Sequence, residues 1–331
     1  MKTGSNLLAA VFLISMIFLI NGCKKATMPT LKTSEISGIT INTAISGGEI
    51  TSDGGDDITE KGVCWNTSTE PTIADSRSKD GKGTATFTST VINLQPATTY
   101  AVRAYATNSA GTAYGEEFTF NTKIADVDGN QYFVVKIGSN WWMAENLKTT
   151  KYNDNTGIPI VTDNTAWIGL SNPAYCWYNN DEAYYKPLYG ALYNWYAASN
   201  SKLCPTGWHV PTDADFNAME LSLGIPPAQI DTWGWRGTDQ GKQLKNTTGW
   251  STNENGTNTS GFAALPGGYR NYQSGGFFGN DMLSYWWSST DDSANGQPEV
   301  AWYRRLDGDN DGVYKATTDK RAGKYIRCVK D

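Results

Sequence analysis

Cys204-Pro205-Thr206-Gly207-Trp208-His209-Val210-Pro211-Thr212-Asp213-Ala214-Asp215-Phe216 is the stretch on which the fold turns. Its second half announces a helix. Thr212 can cap the first turn with its hydroxyl, and Asp215, three residues on, can return the bond as a weaker capping box. Asp213 and Asp215 suit the positive end of the helix dipole. Phe216, Met219 and Leu223 recur at the spacing of one buried face, and Gly224 with Pro226 stops the run. Working outward, a second helix is expected where Tyr189, Leu192, Tyr193 and Tyr196 share a helical face. Upstream, 126–130 reads as a turn before a strand from Gln131 to Ile137. Downstream of Gly261 the chain turns to strands and loops, with strand-like runs at 285–289, 300–306, 312–316 and 325–329. Helices followed by a meander predict an α+β domain over residues 126–331.

Residues 30–122 have another texture. They are rich in Thr, Ser, Gly, Val and Ile, with short strand-like runs between turn clusters such as Ser46-Gly47-Gly48 and Asp53-Gly54-Gly55-Asp56. That pattern predicts an all-β sandwich. From Thr99 to Asn108, Tyr100, Val102, Ala104 and Ala106 fall on one face of a strand, and Arg103 and Tyr105 on the other. Leu94, Pro96, Thr98, Tyr100, Val102, Ala106, Asn108 and Gly111 resemble the fibronectin type III pattern near its penultimate strand. The resemblance implies that Tyr100 forms a tyrosine corner, its hydroxyl bonding back to the loop near Leu94. The run Tyr114 to Phe120 reads as the closing strand. Cys64 reads as a buried strand thiol. The expected role of this sandwich is a spacer. Only Lys123-Ile124-Ala125 separates it from the second domain, so the two are expected to abut.

The beginning of the chain carries a signal-peptide pattern over residues 1–22: Lys2 as a short positive region, then an apolar run from Leu7 to Ile20 broken only by Ser15. A run of this length falls short of the ~20 residues that span a bilayer. Ile20-Asn21-Gly22-Cys23 resembles a lipobox, although Asn21 departs from the usual small residue. Cys23 is the expected lipidation site, with residues 23–29 as the lipidated start and linker. A net charge of -6 without a Lys/Arg run argues against a nucleic-acid partner. Four cysteines follow Cys23 in what would be an oxidising compartment, and four thiols allow three fully paired connectivities.

The second domain carries the most specific resemblance. Trp142-Met143-Ala144-Glu145-Asn146-Leu147, Cys204 to Thr212, Gly261-Phe262-Ala263-Ala264-Leu265-Pro266-Gly267-Gly268, Trp287-Ser288-Ser289-Thr290 and Arg327-Cys328-Val329-Lys330-Asp331 resemble, in order, the Fibrobacter succinogenes major paralogous domain (FISUMP). That family is found in bacterial surface and secreted lipoproteins, and its name carries no activity. Its segments are in turn similar to the C-type lectin-like fold. The implied fold class is a fibronectin III-like all-β sandwich followed by an α+β C-type lectin-like domain. Cys204 and Cys328 lie in family motifs at opposite ends of the domain, and a disulfide between them is expected. It would close a loop of about 125 residues and remove ~4–5 kcal/mol of denatured-state entropy. Cys176 competes for either thiol.

His209 is the single histidine, which excludes a multi-histidine zinc or copper site. Its place before the helix cap suits a structural hydrogen-bonding role. Formylglycine-generating enzymes, which share the lectin-like fold, use a cysteine pair that has no counterpart here. Asp307, Asp309 and Asp311, in Asp307-Gly308-Asp309-Asn310-Asp311-Gly312, make calcium a candidate cofactor. The twelfth position is Thr318, which leaves the loop unclosed, and Asp-Gly between two strand-like runs also suits a plain hairpin. The stretch from Tyr269 to Tyr314 is dense in rings among Asn, Ser, Gly and Asp, the composition of adaptable binding surfaces. Tyr269, Arg270, Tyr272, Trp302, Tyr303 and Arg304 are the candidate ligand residues. About half of the rings in this stretch are expected in the core.

These readings predict a non-catalytic lipoprotein, held by its lipid anchor at the outer membrane or cell surface or on the periplasmic face, that binds a glycan or protein ligand. The alternatives are an enzyme or enzyme accessory acting on polysaccharide, and a structural envelope component.

Overall fold

The computed structural model describes residues 25–251 and 254–331. The signal-peptide and Cys23 lipidation expectations lie outside the described residues. Among those described, no helix is long and apolar enough to cross a membrane.

Eight strands fall within residues 30–121: β1 (Thr30–Thr33), β2 (Ala44–Ser52), β3 (Glu60–Asn66), β4 (Ser76–Arg77), β5 (Phe87–Val91), β6 (Thr99–Asn108), β7 (Gly111–Tyr114) and β8 (Phe118–Asn121). They form two sheets, β1-β2-β5 and β4-β3-β6, with β7 and β8 both pairing with β6. Alternation explains the sandwich: in β5, Phe87, Ser89 and Val91 point inward while Thr88 and Thr90 meet solvent. Val63, Trp65, Phe87, Tyr100, Val102, Ala104 and Phe120 fill the space between the sheets. Each large apolar side chain buried there contributes roughly 1.5–3 kcal/mol. The Tyr100 hydroxyl accepts the Gln95 amide at 3.0 Å, which fixes the corner before β6. The expected closing strand from Tyr114 to Phe120 is instead two strands. Between them the exposed Glu116 accepts the Thr33 amide at 3.2 Å.

The rest of the chain contains β9 (Ile124–Ala125), β10 (Gln131–Tyr132), β11 (Val134–Ile137), β12 (Asn140–Met143), β13 (Tyr175–Cys176), β14 (Leu192–Tyr193), β15 (Trp208–His209), β16 (Gly234–Arg236), β17 (Gly267–Arg270), β18 (Phe277–Asn280), β19 (Leu283–Asp292), β20 (Gln297–Asp307), β21 (Val313–Asp319) and β22 (Val329–Lys330). Among the described residues five short α-helices interrupt them: α1 (Asn164–Ile168), α2 (Glu182–Tyr189), α3 (Trp195–Ala198), α4 (Asp213–Ser222) and α5 (Gln240–Leu244). A six-stranded sheet in the order β16-β21-β20-β19-β17-β18 dominates, with a four-stranded sheet β11-β12-β22-β15 beside it. The whole is mostly β with few helices.

α4 starts as its sequence requires, with both halves of the Thr212–Asp215 capping box in place. Phe216 and Met219 are buried. The helix expected through Tyr189, Leu192, Tyr193 and Tyr196 does not form. α2 stops at Gly190, whose φ of 79° favours glycine, and Leu192–Tyr193 pairs as a strand with Tyr175–Cys176. Helical spacing and sheet pairing compete there, and burial on both sides of β14 decides for the sheet. The strand expected from Gln131 to Ile137 breaks at Phe133, whose amide turns to the Glu145 carboxylate at 3.1 Å. Of the run 325–329, only Val329 lies in a strand.

The family motifs converge on one polar hub. Asn146 Oδ1 accepts from Trp286 Nε1 at 2.9 Å and from Arg327 Nε at 2.8 Å, while its amide donates to the Tyr189 carbonyl at 2.7 Å. The Arg327 guanidinium also donates to the Phe262 carbonyl and stacks 4.0 Å from the Phe262 ring. The Tyr325 hydroxyl donates to the Gly267 carbonyl at 2.7 Å. A Cβ on Gly267 would lie 2.4 Å from that hydroxyl, so this position requires glycine. Cys204 and Cys328 form the expected disulfide, with Cα atoms 6.0 Å apart and a sequence separation of 124.

Candidate functional site

The structure scatters the six residues that the sequence groups as a ligand face. Arg270 is fully buried: its guanidinium donates to the carbonyls of Val161 at 2.6 Å, Thr162 at 2.8 Å and Gly275 at 2.7 Å, and lies 4.2 Å over the Trp167 ring. Arg304 is buried too, bonded to Glu220 at 2.6 Å and to Asp213 at 2.7 Å. Both arginines are internal ties, which corrects their placement on a ligand surface. Tyr272 stands apart, half-buried, with the Arg321 guanidinium 5.8 Å from its ring. Trp302 and Tyr303 are neighbours on β20 and therefore point to opposite faces. Tyr269 and Tyr303 alone share a surroundings.

Behind β20, Glu220 receives Arg236 through two bonds of 2.7 and 3.0 Å, besides Arg304. Asp213 takes Arg304 and Lys315, the latter at 2.8 Å. Burial alone would raise the Asp213 carboxyl, but Arg304 and Lys315 outweigh it and hold the group below its ordinary range. This network fixes α4 to the six-stranded sheet. An apolar stripe on α4 gave no sign that Glu220 would point inward with it.

The first candidate surface is a cleft of about 520 Å³ lined by Trp233, Asp292, Asn295, Gln297, Val300 and Thr317. Trp233 is 56% exposed. Its ring meets Trp302 edge-on, centroids 4.8 Å apart, and Lys315 Nζ lies 5.0 Å from the centre of the Trp302 ring. The indole of Trp233 is thus held from behind and bare in front. Asp292, at the β19–β20 hairpin tip, accepts the Asn295 amide at 2.7 Å. The cleft offers a flat apolar face beside amide, carboxylate and hydroxyl groups. Sequence reasoning found Trp302 and missed Trp233, Asp292 and Asn295; the signal was Trp233-Gly234-Trp235, two indoles around a glycine.

The second candidate lies on the opposite face of the same sheet, where Tyr285 and Tyr303 are buried and Tyr269 is half-buried. Tyr269, Tyr285 and Tyr303 form a continuous row, with centroids 4.6 and 5.6 Å apart in turn. Lys324 ends beneath them. Its ammonium lies 4.1 Å from the Tyr303 centroid, 4.3 Å from Tyr285, 5.0 Å from Trp287 and 5.6 Å from Tyr269. Burial, with the neighbouring charge of Arg305, pulls its pKa well below the usual lysine value. Burial also pushes Tyr303 up to about 12 and Tyr285 higher still.

The Asp307–Gly312 loop is a hairpin turn between β20 and β21 that closes over a lysine. Lys245 Nζ donates to the carbonyls of Asp307 at 3.0 Å, Gly308 at 3.0 Å and Asn310 at 3.2 Å. The Asp307 carboxylate takes Arg305 Nη2 at 2.7 Å, Asp311 lies 3.6 Å from Lys245, and Asp309 is exposed. The carbonyls that a bound cation would use already point at an ammonium. Among the described residues no group of three or more His, Cys, Asp and Glu could hold a metal ion. His209 bridges Asp331 at 2.6 Å and Asp215 at 3.2 Å, tying β15 to the α4 cap. Cys64 and Cys176 are free and buried, and burial pushes both thiols up to about 12.

The family described as the Fibrobacter succinogenes major domain matches residues 135–330. No curated protein matches the chain. Similar solved structures include domains of titin, at 27% identity and a TM-score of 0.22, covering 29% of this chain and 32% of that one. The chain thus spans about a third of that titin fragment. The sensor domain of an anti-sigma factor from Pseudobacteroides cellulosolvens matches at 17% identity and a TM-score of 0.23, covering 30% of this chain and 97% of that one. The sixth fibronectin type III domain of human fibronectin type III domain containing protein 3 matches at 22% and 0.24, covering 30% and 92%. Likenesses at such TM-scores say nothing about activity.

Proposed function

The chain belongs to the Fibrobacter succinogenes major domain family, and from that premise we propose a non-catalytic binding protein of the bacterial envelope whose cleft beside Trp233 takes a carbohydrate. One observation carries the reading: a 56% exposed indole, braced by Trp302, overhangs a cleft lined by Asp292, Asn295, Gln297 and Thr317. The C–H face of a sugar ring is apolar and its rim is hydroxylated. A flat ring beside carboxamide and carboxylate groups matches both, and a braced ring loses little freedom on binding. The ligand is sized for one or two sugar units of a longer glycan.

The remaining parts fit this reading as display. Cys23 is the lipid attachment point, at the outer membrane or cell surface. The sandwich of β1–β8, with its Tyr100 corner, is read as a fibronectin type III-like spacer. The second unit is read as a C-type lectin-like fold. No cofactor is invoked: at the Asp307 loop, Lys245 supplies the positive charge that calcium would bring. Titration of the full-length chain with soluble oligosaccharides, followed by tryptophan fluorescence, tests the proposal. A saturable change that Trp233→Ala abolishes supports it. A panel without any saturable change, or a change indifferent to that substitution, rejects it.

A further inference from the structure

Lys324 is the least explained charged group in the structure. It is 2% exposed, it lies under Tyr269, Tyr285, Trp287 and Tyr303, and among the described residues no acid or acceptor meets its ammonium. The other buried cations are satisfied: Arg236 and Arg304 by Glu220, Lys315 by Asp213, Lys245 by loop carbonyls. The charge that acts on Lys324 is Arg305, of like sign, and the nearby carboxylate of Asp307 is taken up by Arg305. The hydroxyls of Tyr285 and Tyr303 have no hydrogen-bond partner among the described residues either. A buried ammonium without an anion is costly, and a fold retains one at a stability loss. Three rings with two free hydroxyl donors above one unpaired amine form a cup that is complementary to an anion.

We propose that the tyrosine face around Lys324 is a second binding site, distinct from the Trp233 cleft, that takes an acidic sugar of the uronate class. The sugar ring lies against Tyr269, the half-exposed ring of the row, beside the hydroxyl edge of the buried Tyr303. The carboxylate is held by the tyrosine hydroxyls and Lys324, with Arg305 adding long-range attraction. Because the carboxylate supplies the missing counter-charge, binding draws a proton onto the amine. The site stands on the opposite sheet face from Trp233, so its success or failure is independent of the carbohydrate cleft.

The test is calorimetric titration of the full-length chain with trigalacturonate and with neutral trigalactose, near pH 8, in two buffers of different ionisation enthalpy. The expected result is binding of the acid at least tenfold tighter than the neutral sugar, with net proton uptake. Lys324→Met should abolish the uptake and weaken the acid at least tenfold, and Tyr303→Phe should weaken it severalfold, while Trp233→Ala leaves both unchanged. Equal binding of acid and neutral sugar, absence of acid binding, or uptake that survives Lys324→Met would each overturn the proposal. The melting temperature of each variant distinguishes loss of the site from loss of the fold.

Discussion

Asn146 and Arg327, 181 residues apart, share a 2.8 Å hydrogen bond at the centre of the second unit. Trp286 completes the junction. Segments from three of the family's sequence motifs, with Trp286 just before a fourth, therefore meet at one amide side chain and one guanidinium. Such residues specify a fold. They offer nothing to a ligand, and the candidate sites lie elsewhere, on side chains outside these motifs such as Trp233 and Lys324.

Replacing Asn146 with Ala strands the Trp286 indole and leaves the buried Arg327 with fewer acceptors. Losing a bond to a buried charged group costs roughly 1.5–3 kcal/mol. Asn146→Ala is expected to lower stability by about 3 kcal/mol, measured by urea unfolding. A change under a few tenths would show that the junction is incidental.

Glu220 has two arginines and no exposure. Glu220→Gln leaves Arg236 and Arg304 short of a counter-charge in the interior, with an expected loss of roughly 3–5 kcal/mol. Asp213 adds a pH dependence of definite sign. Its carboxyl is held below the ordinary range, so the stability it contributes is present above about pH 4 and is lost as pH falls through the lowered value. Asp213→Asn should flatten the acid limb of a plot of melting temperature against pH.

Lys324 gives the opposite limb. Its pKa in the folded chain is well below 10.5, so the unfolded state binds more protons between that value and 10.5. Through this window the lysine's destabilising effect shrinks as pH rises. Lys324→Met should melt higher than the parent at pH 7, and the gap should close toward pH 10. A gap that does not change with pH would mean that the ammonium is not desolvated. Above pH 10 both proteins should weaken, because Tyr132, Tyr193 and Tyr325 resist ionisation only when folded.

Much of the architecture could be read from local patterns. Thr212 and Asp215 cap α4 because the capping box is a property of four consecutive residues. The Tyr100 corner is similarly local. Leu192 and Tyr193 misled because helical spacing says nothing about a partner strand at Tyr175–Cys176. The ligand face was misread for a related reason. Arg270 and Arg304 look like surface cations until distant residues, Val161 and Glu220, supply their partners. Trp233 stayed hidden because exposure is a tertiary property: Trp233-Gly234-Trp235 marks two indoles around a glycine without saying how bare either one is.

The anchor can be tested without the fold. Metabolic labelling with an alkyne fatty acid should mark the mature protein, and Cys23→Ser should abolish the label and release the chain from the membrane fraction. Retention of the label in that variant would place the lipid on another residue. Trypsin accessibility on intact cells then reports whether the chain is displayed on the cell surface.

The central claim, that the Trp233 cleft binds carbohydrate, meets its most direct test on a glycan array probed with the full-length chain and with Trp233→Ala. The account predicts a defined set of glycans bound by the parent, with binding reduced roughly tenfold or more in the variant, as expected for a lost central ring, at an unchanged melting temperature. Binding equal in both proteins, or no glycan bound by either, would contradict it.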